Sequence, residues 1–432
     1  MYKPSKEAPP AGRVIIVYSQ HKKMSRLVVT KSSPVVVVPA ALEPATTVPE
    51  GATVGLSSFD KCVVPFPVTT LLVFDRPIHE PVETIKAALS LALAHYRPLA
   101  GRLDGKGGIA CTGEGVTFVA ATASCTLEEL AAASTALLKD LAVSYPCELC
   151  RDDEPLLLVQ VTGFSCGGFV VGATWNHLAR GVSPPSVVPV RHWDDSLPGL
   201  PPSMIAAQNS TMNHGFQDLA LLDITVPASL IRRIKAESGC TVFEAVTAVL
   251  WRCRTRVAIA PAGDPEAPAP LAFPCNVRKH AGAADGYYGN CVTVQLVPAT
   301  SGAVASSSIG DLVQLIRRAK EKAPDILSDG SGGGGGGAVA DDGGAAEGQP
   351  QLGAYSAFVV ISWRNLGFDA ADFGGGRPAR VMWHGERTVV PGCVVCPPCR
   401  GEDDAVSVSS ICVTPEHADA FLAELGNLAA CM

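Results

Sequence analysis

Residues 155–177 read PLLLVQVTGFSCGGFVVGATWNH, and this stretch decides the fold. Two apolar runs, at residues 156–161 and 169–172, flank the pair Gly167-Gly168. Short apolar runs bounded by turn residues are typical of buried strands, and paired glycines favour the turn between two of them. The stretch therefore predicts a buried strand pair whose second strand ends at Trp175-Asn176-His177.

The composition indicates a large globular protein. The chain has 432 residues, of which 47% are hydrophobic and 17% are charged. Because one hydrophobic core seldom serves more than about 250–300 residues, we expect two domains. The net charge of −7, without an extended basic cluster, argues against nucleic-acid binding.

The sequence suggests a cytoplasmic location. Its first residues have no apolar core typical of a signal peptide, and no uncharged apolar stretch is long enough to span a bilayer, so no membrane partner is expected. The 15 cysteines are scattered along the chain and lack a secretory context. We therefore expect reduced thiols and not a disulfide framework.

The first half of the chain alternates strand and helix patterns. Apolar residues recur every three or four positions at 81–96, which predicts a helix that ends at Arg97-Pro98. A second amphipathic helix is predicted at residues 127–141. Ser57-Ser58-Phe59-Asp60 indicates a turn. Strands are predicted at residues 14–17, 35–38 and 69–74.

The second half follows a segment rich in proline and polar residues, which predicts a long crossover loop. Gly332–Gly337 indicates a flexible insertion near residues 328–350, and the absence of a following Lys-Ser/Thr argues against a phosphate cradle. The predicted organisation is an N-terminal domain at 1–190, a crossover at 191–221 and a C-terminal domain at 222–432. Strands are predicted at 222–226, 292–297 and 358–362, and helices at 227–238, at 242–256 and from near Pro415.

Several separated segments, in the same order, resemble the motifs of plant BAHD acyltransferases, and together they span nearly the whole chain from Leu27. His177 stands where the family has the histidine of its HxxxDG motif. The other matching segments are Tyr96 to Leu103 (family YPLAGRL), Val242 to Arg252 (FEA…WR), Asn276-Val277-Arg278 (VNxR), Gly286 to Asn290 (GYFGN) and Asp372 to Pro378 (DFGWGKP).

The resemblance implies an α/β fold with two similar chloramphenicol-acetyltransferase-like domains, each a mixed sheet flanked by helices. It implies transfer of an acyl group from acyl-CoA to a hydroxyl or amine of a plant specialised metabolite or cell-wall precursor. His177 would act as general base at the domain junction, because imidazole titrates near neutral pH. The protein would be a monomer with acyl-CoA as co-substrate, a small-molecule acceptor, and neither cofactor nor metal.

The HxxxDG motif is broken in this chain. After His177 the sequence continues Leu178-Ala179-Arg180-Gly181, with no aspartate four residues on. Family members carry a similar LARG segment further downstream, after the motif and a helix. We therefore infer an in-frame loss of about 20 residues, equal to a helix about 30 Å long. A substituted motif is the alternative.

The resemblance also implies what the loss would do. The family aspartate pairs with the arginine that aligns with Arg278 and so supports the histidine loop. A buried charge left without its partner costs about 3–5 kcal/mol. We therefore expect a weakened N-terminal domain, a misplaced His177, or both.

Other family positions are partly kept. Ser362-Trp363 stands where the family often has Thr-Ser-Trp, so Trp363 and Ser362 are predicted to contact substrate. Arg278, Asn290 and Asp372 are predicted as structural support. The tryptophan of DFGWG is Gly375 here, so a packing ring is missing from that loop.

Three alternatives are open. One alternative is a zinc site at Cys393, Cys396 and Cys399. A fourth ligand at suitable spacing is missing, so structural thiols are favoured. The chain could be an acyl-CoA-binding pseudoenzyme without turnover. It could also be a truncated splice or gene-model product of an active acyltransferase.

The identity of the acyl group is also left open by the sequence. The donor alternatives are acetyl, malonyl and hydroxycinnamoyl groups.

Overall fold

The computed structural model describes residues 28–41, 51–63, 65–131, 135–179, 197–200, 215–328, 355–385, 388–401 and 405–430. The predicted strand at 14–17, most of the crossover loop and the glycine run near 328–350 lie outside these residues. None of the described helices is both long and apolar enough to cross a membrane.

Sixteen strands lie in the described part of the chain: β1 (Val29–Lys31), β2 (Val35–Val37), β3 (Thr53–Gly55), β4 (Pro67–Phe74), β5 (Arg102–Leu103), β6 (Gly108–Ala110), β7 (Val116–Ala123), β8 (Leu157–Gly163), β9 (Phe169–Asn176), β10 (Leu221–Val226), β11 (Leu271–Asn276), β12 (Val292–Val297), β13 (Phe358–Ser362), β14 (Arg380–His384), β15 (Gly392–Val395) and β16 (Val406–Ile411).

Ten α-helices are described: α1 (Ser58–Lys61), α2 (Pro81–His95), α3 (Leu127–Ala131), α4 (Ala228–Ser238), α5 (Val242–Arg254), α6 (Arg278–Ala281), α7 (Ser301–Ser306), α8 (Ile309–Glu321), α9 (Asp325–Ser328) and α10 (Ala418–Ala430). A π-helical turn, Thr255–Ile259, continues α5.

The strands form two large mixed sheets and one small one. The first has the order β1-β7-β8-β9-β4-β14, with β2 also paired to β7. The second has the order β10-β16-β15-β13-β11-β12, and β3-β6-β5 form the third. Each large sheet has its own buried apolar cluster. We call the parts built around the first and the second sheet the first and the second lobe.

The strand pair predicted from residues 155–177 is confirmed. β8 and β9 pair antiparallel from Leu157↔Trp175 to Gly163↔Phe169. The turn between them closes through a hydrogen bond from the Phe164 amide to the Gly168 carbonyl, at 2.9 Å. Gly167 has a φ of 85°, a left-handed conformation that glycine adopts without steric cost.

One strand from the second half of the chain belongs to the first sheet. β14 pairs antiparallel with β4, from Arg380↔Val73 to His384↔Thr69. The predicted domain boundaries stay a prediction, but β14 shows that residues after 222 complete the first lobe. The chain therefore crosses from the second lobe into the first to form β14 and then returns to the second lobe.

Two local predictions are wrong. Residues 127–141 do not form one α-helix, because α3 ends at Ala131 and Thr135–Leu141 is a 3-10 helix. Leu138 and Leu141 are buried in an apolar cluster with Val170 of β9, so tertiary packing decides the path of this segment. Residues 57–60 do not form a simple turn but a capped helical turn, α1.

Most other elements match their prediction to within two residues. The helices at 81–96, 227–238 and 242–256 correspond to α2, α4 and α5. The strands at 292–297 and 358–362 are β12 and β13. The last helix begins at a short 3-10 turn, Pro415–His417, and continues as α10.

The N-terminus of α5 generates a stability prediction. The Thr241 hydroxyl accepts a hydrogen bond from the Glu244 amide, and the Glu244 carboxylate accepts one from the Thr241 amide. Thr241→Ala removes the hydroxyl, so we expect the free energy of unfolding to fall by about 1 kcal/mol in urea titrations. Thr241→Ser keeps the acceptor and should unfold close to the wild-type midpoint. Equal midpoints for the alanine variant and the wild type would contradict this.

Candidate active site

The position of His177 follows from the pairing of β9. This strand is hydrogen-bonded on both sides, to β4 and to β8, and its last residue Asn176 lies opposite Pro67. The amide of His177 donates to the carbonyl of Phe66 at 3.2 Å. The sheet therefore holds the backbone up to and including His177.

The ring of His177 lies in an apolar environment. Its centroid is 5.1 Å from that of Phe66. Nδ1 is buried and has no hydrogen-bond partner among the described residues. Burial lowers the pKa of His177 below its usual value, while the charge of Asp60 acts in the opposite direction. The imidazole is therefore neutral near pH 7 and can accept a proton.

The carbonyl of His177 is bonded to the second lobe. The side-chain amide of Asn290 donates to it at 3.1 Å. The same amide nitrogen donates to Oδ1 of Asp60 at 2.9 Å, and the backbone amide of Asn290 donates to this oxygen at 3.0 Å. Asn290 thus connects the histidine to a carboxylate on α1.

Asp60 is fully enclosed, with 1% of its surface exposed. Its second oxygen, Oδ2, accepts from the amide and the hydroxyl of Ser57, at 3.0 and 2.7 Å. These bonds form the capping box of α1. Both carboxylate oxygens are therefore satisfied, one by the first lobe and one by the second.

Gly289 allows a close approach beside this link. The hydroxyl of Tyr287 donates to the carbonyl of Asn290 at 3.0 Å. A Cβ atom at Gly289 would lie 2.3 Å from the Tyr287 hydroxyl oxygen, so a larger residue would displace the tyrosine. The GYYGN segment therefore shapes the loop that presents Asn290.

Arg278 lies next to this loop but has no carboxylate partner among the described residues. Its Nη2 donates to the carbonyl of Gly289 at 2.6 Å, and its guanidinium lies 5.9 Å from the ring centroid of Tyr287. Nε is buried without a hydrogen-bond partner. Burial lowers the pKa of Arg278, and Asp60 is among the groups that oppose this shift.

Trp363 lies at the same junction. It follows Ser362, the last residue of β13, and its amide donates to the carbonyl of Val395 at 2.8 Å. Its ring lies 6.3 Å from that of Trp175, two residues before His177. A strand of the second sheet thus delivers Trp363 to the apolar cluster of the first lobe, beside the strand that carries the histidine.

Asp372 lies at the other end of the first sheet. Its Oδ1 accepts from the amides of Gly374 and Gly376, at 2.8 and 2.9 Å, and the ring of Phe373 contacts that of Phe74, at 5.4 Å. Because Pro67 of β4 is opposite Asn176 and Phe74 is at the far end, this loop is about 20 Å or more from His177 along the strand.

The loop around Gly375 is closed by an aliphatic side chain. A Cβ at Gly375 would lie 2.9 Å from Cγ2 of Ile78. Ile78 therefore occupies the space next to this position, where family members carry a tryptophan.

The cysteines offer no alternative centre in the residues described. Cys393 and Cys396 are buried, and burial raises the pKa of Cys396 to about 11. No group of three or more potential metal ligands, and no disulfide bond, occurs within the described ranges.

Sequence reasoning predicted His177 at the domain junction, and Arg278 and Asn290 as structural support, but it missed Asp60. The signal was present, because Ser57-x-x-Asp60 is the capping-box pattern of a helix start. Its function as a link to Asn290 requires two segments 230 positions apart in sequence to meet. No local pattern encodes that contact.

Comparisons with known proteins agree with this architecture. The family model described as "Transferase family" matches residues 28–182 and 216–426. "Acyl transferase 15" of Oryza sativa subsp. japonica is 43% identical, with 94% of this chain and 99% of the relative covered. A myricetin glycoside caffeoyltransferase, AT1 of Crocosmia x crocosmiiflora, is 32% identical, with 90% and 98% covered.

Solved structures share the fold at low sequence identity. Vinorine synthase superposes with a TM-score of 0.68 at 18% identity, covering 93% of this chain and 98% of that one. F. graminearum TRI101, complexed with coenzyme A and T-2 mycotoxin, superposes with a TM-score of 0.59 at 14% identity, and the match covers 86% of this chain and 97% of that one. The predicted two-domain α/β fold of the chloramphenicol-acetyltransferase type is thereby confirmed, and the chain belongs to the plant BAHD acyltransferase family.

Proposed function

We propose that this chain transfers an acyl group from acyl-CoA to a hydroxyl or amine of a plant specialised metabolite or cell-wall precursor, with His177 as the general base. One observation carries the proposal. His177 is fixed at the end of a strand paired on both sides, and its carbonyl accepts a hydrogen bond from the opposite lobe. Burial also lowers the pKa of its ring, which favours the neutral form that can act as a base.

The reaction needs one base and no covalent intermediate. The imidazole takes the proton from the acceptor hydroxyl or amine while the acceptor atom attacks the thioester carbonyl. The carbon–sulfur bond then breaks, and the leaving thiolate of CoA takes the proton from the imidazolium. A positioned base of this kind contributes about 10²- to 10⁴-fold to the rate.

Trp363 and Ser362 are the proposed substrate contacts. The indole N–H of Trp363 makes no hydrogen bond to another described residue, so it is free to donate to a bound carbonyl or acceptor. The names of the two relatives, an acyl transferase and a caffeoyltransferase, support acyl transfer as the reaction class. The protein would work as a cytoplasmic monomer, with acyl-CoA as co-substrate and without metal or other cofactor.

We further propose that activity is impaired by the loss of a segment after His177. The carboxylate that would pair with Arg278 is missing from the described residues. The alignment with the rice relative is 452 positions long, more than the 432 residues of the whole chain, so it includes positions without a counterpart here.

The same observations favour a second candidate function. A chain that keeps the second lobe but has lost the support of its base could bind acyl-CoA without turnover, as a pseudoenzyme or as a truncated splice or gene-model product. Genomic DNA between the codons for His177 and Leu178 tests the latter, since an intron boundary or an in-frame stretch encoding the aspartate would identify an active parent enzyme.

His177→Ala tests the base. We expect kcat/KM to fall by at least about a hundredfold, because the proton acceptor is removed, and acyl-CoA binding measured by calorimetry to stay within about twofold of wild type. His280→Ala, at an exposed position, is the matched control. Unchanged kcat/KM in His177→Ala would exclude the proposed base. Acyl-CoA binding by the unmutated chain, without measurable turnover, would establish the pseudoenzyme.

The lowered pKa of His177 predicts the pH profile. The neutral form is the active base, and burial holds its folded-state pKa below the unfolded value of about 6.5. Activity should therefore persist as the pH falls through about 6.5 and decline only below it. The same group contributes stability above the unfolded pKa that is lost as the pH falls through the folded pKa. A kcat/KM profile whose acid limb lies at or above about pH 7 would contradict this assignment.

The stability of an Arg278 variant tests whether this side chain has lost its carboxylate partner. Since this buried guanidinium has no ion-pair partner in the described structure, Arg278→Met removes an uncompensated charge and should leave the free energy of unfolding unchanged or raise it. Arg254→Met is the contrast, because that buried side chain donates to the carbonyls of Cys412, Ser356 and Tyr355. Its loss should cost about 3 kcal/mol or more. The free energies of unfolding of both variants would be measured by thermal and urea unfolding. If Arg278→Met lost as much stability as Arg254→Met, Arg278 would be fully paired.

A further inference from the structure

A continuous hydrogen-bonded chain crosses the junction between the lobes. It begins at Ser57 in the first lobe, passes through the carboxylate of Asp60 to Asn290 in the second, and returns through the Asn290 amide to the carbonyl of His177. Asp60 and Asn290 are 1% and 3% exposed. The chain is therefore shielded from water along its centre.

Burying the carboxylate of a helix cap costs free energy that an exposed cap does not require. The capping box of α8 uses the same Ser-x-x-Asp pattern, with Ser308 and Asp311, and its hydrogen bonds are exposed to solvent. Taking a carboxylate out of water costs several kcal/mol unless hydrogen bonds replace the lost solvation. A capping box does not require a buried carboxylate. The burial of Asp60 therefore points to a further role for this residue.

The two carboxylate oxygens of Asp60 have different hydrogen-bond partners. Oδ2 is used by the capping box of α1. Oδ1 is used by Asn290 alone, through both the backbone amide and the side-chain amide. This double contact orients the Asn290 side chain so that its nitrogen also reaches the His177 carbonyl.

We propose that Asp60 is a positioning residue for His177, acting through Asn290 to fix the carbonyl of the histidine across the lobe junction. This inference rests on the proposed function of His177 as the base. It gives the chain a support for its histidine that does not require the missing aspartate of the motif.

The charge of Asp60 acts in the same direction. Among the groups packed around His177, Phe66 is apolar, Asn290 is neutral, and Asp60 is the charged group whose field raises the histidine pKa against burial. A nearby negative charge favours the imidazolium that forms when the acceptor is deprotonated. Asp60 would therefore strengthen the base as well as hold it in place.

The test compares Asp60→Asn with Asp311→Asn, which alters the equivalent exposed capping box of α8. We expect Asp60→Asn alone to lower the pKa of His177 in a histidine-selective NMR titration, assigned with His177→Gln. Amides in the peptide containing residues 175–179 should exchange hydrogen faster by about tenfold or more. Turnover should fall by about tenfold to a hundredfold in kcat, with KM for acyl-CoA within about twofold and the acid limb shifted to lower pH.

A folded Asp60→Asn variant with unchanged pKa and unchanged exchange at residues 175–179 would overturn the inference and leave Asp60 as a helix cap. Asn290→Ala provides the second test, and decides the matter if Asp60→Asn does not fold. It should speed exchange in the same peptide, whereas unchanged exchange would contradict the proposal. The pKa and exchange readouts do not depend on activity, so loss of the proposed function in the His177→Ala test is distinguishable from failure of this inference.

Discussion

The hydrogen bond between the Asn290 side chain and the His177 carbonyl is the contact on which the site depends. β9 brings His177 to the end of an interior strand of the first sheet, but that position alone does not direct the histidine toward a substrate bound between two lobes. Asn290 hydrogen-bonds this strand end to the second lobe, and Asp60 holds Asn290. A second connection is the chain itself, which leaves the second lobe to form β14 in the first sheet and then returns.

Buried charges in this molecule are satisfied in three different ways. Arg254 donates to three backbone carbonyls and needs no acidic partner. Asp60 accepts from four donors and spans the lobes. Arg278 has one carbonyl and one aromatic face within the described structure, with a buried nitrogen unsatisfied. The least satisfied of the three is the one whose expected partner belongs to the inferred missing segment, which fits a site assembled for a longer chain.

The sequence was sufficient to predict much of this arrangement. Apolar runs predicted β8 and β9, which are buried on both faces of the sheet, and helical periodicity predicted α2 and α5. Ordered motifs identified His177 as the base, Trp363 as a substrate contact and Asn290 as structural support. It did not predict the 3-10 helix Thr135–Leu141, where packing on β9 overrides helical periodicity, nor β14 in the first sheet. Nor did it predict Asp60, because its partner Asn290 is distant in sequence and only the folded chain brings the two together.

We propose that His177 is a base at the lobe junction whose loop has lost part of its support. Restoring that support tests this proposal, by inserting between His177 and Leu178 a segment of about 20 residues that completes the HxxxDG motif and supplies the helix after it. We expect kcat to rise by about a hundredfold, because a displaced base regains its position, and not to rise in a chain that also carries His177→Ala. Equal kcat with and without the inserted segment would show that His177 does not depend on it.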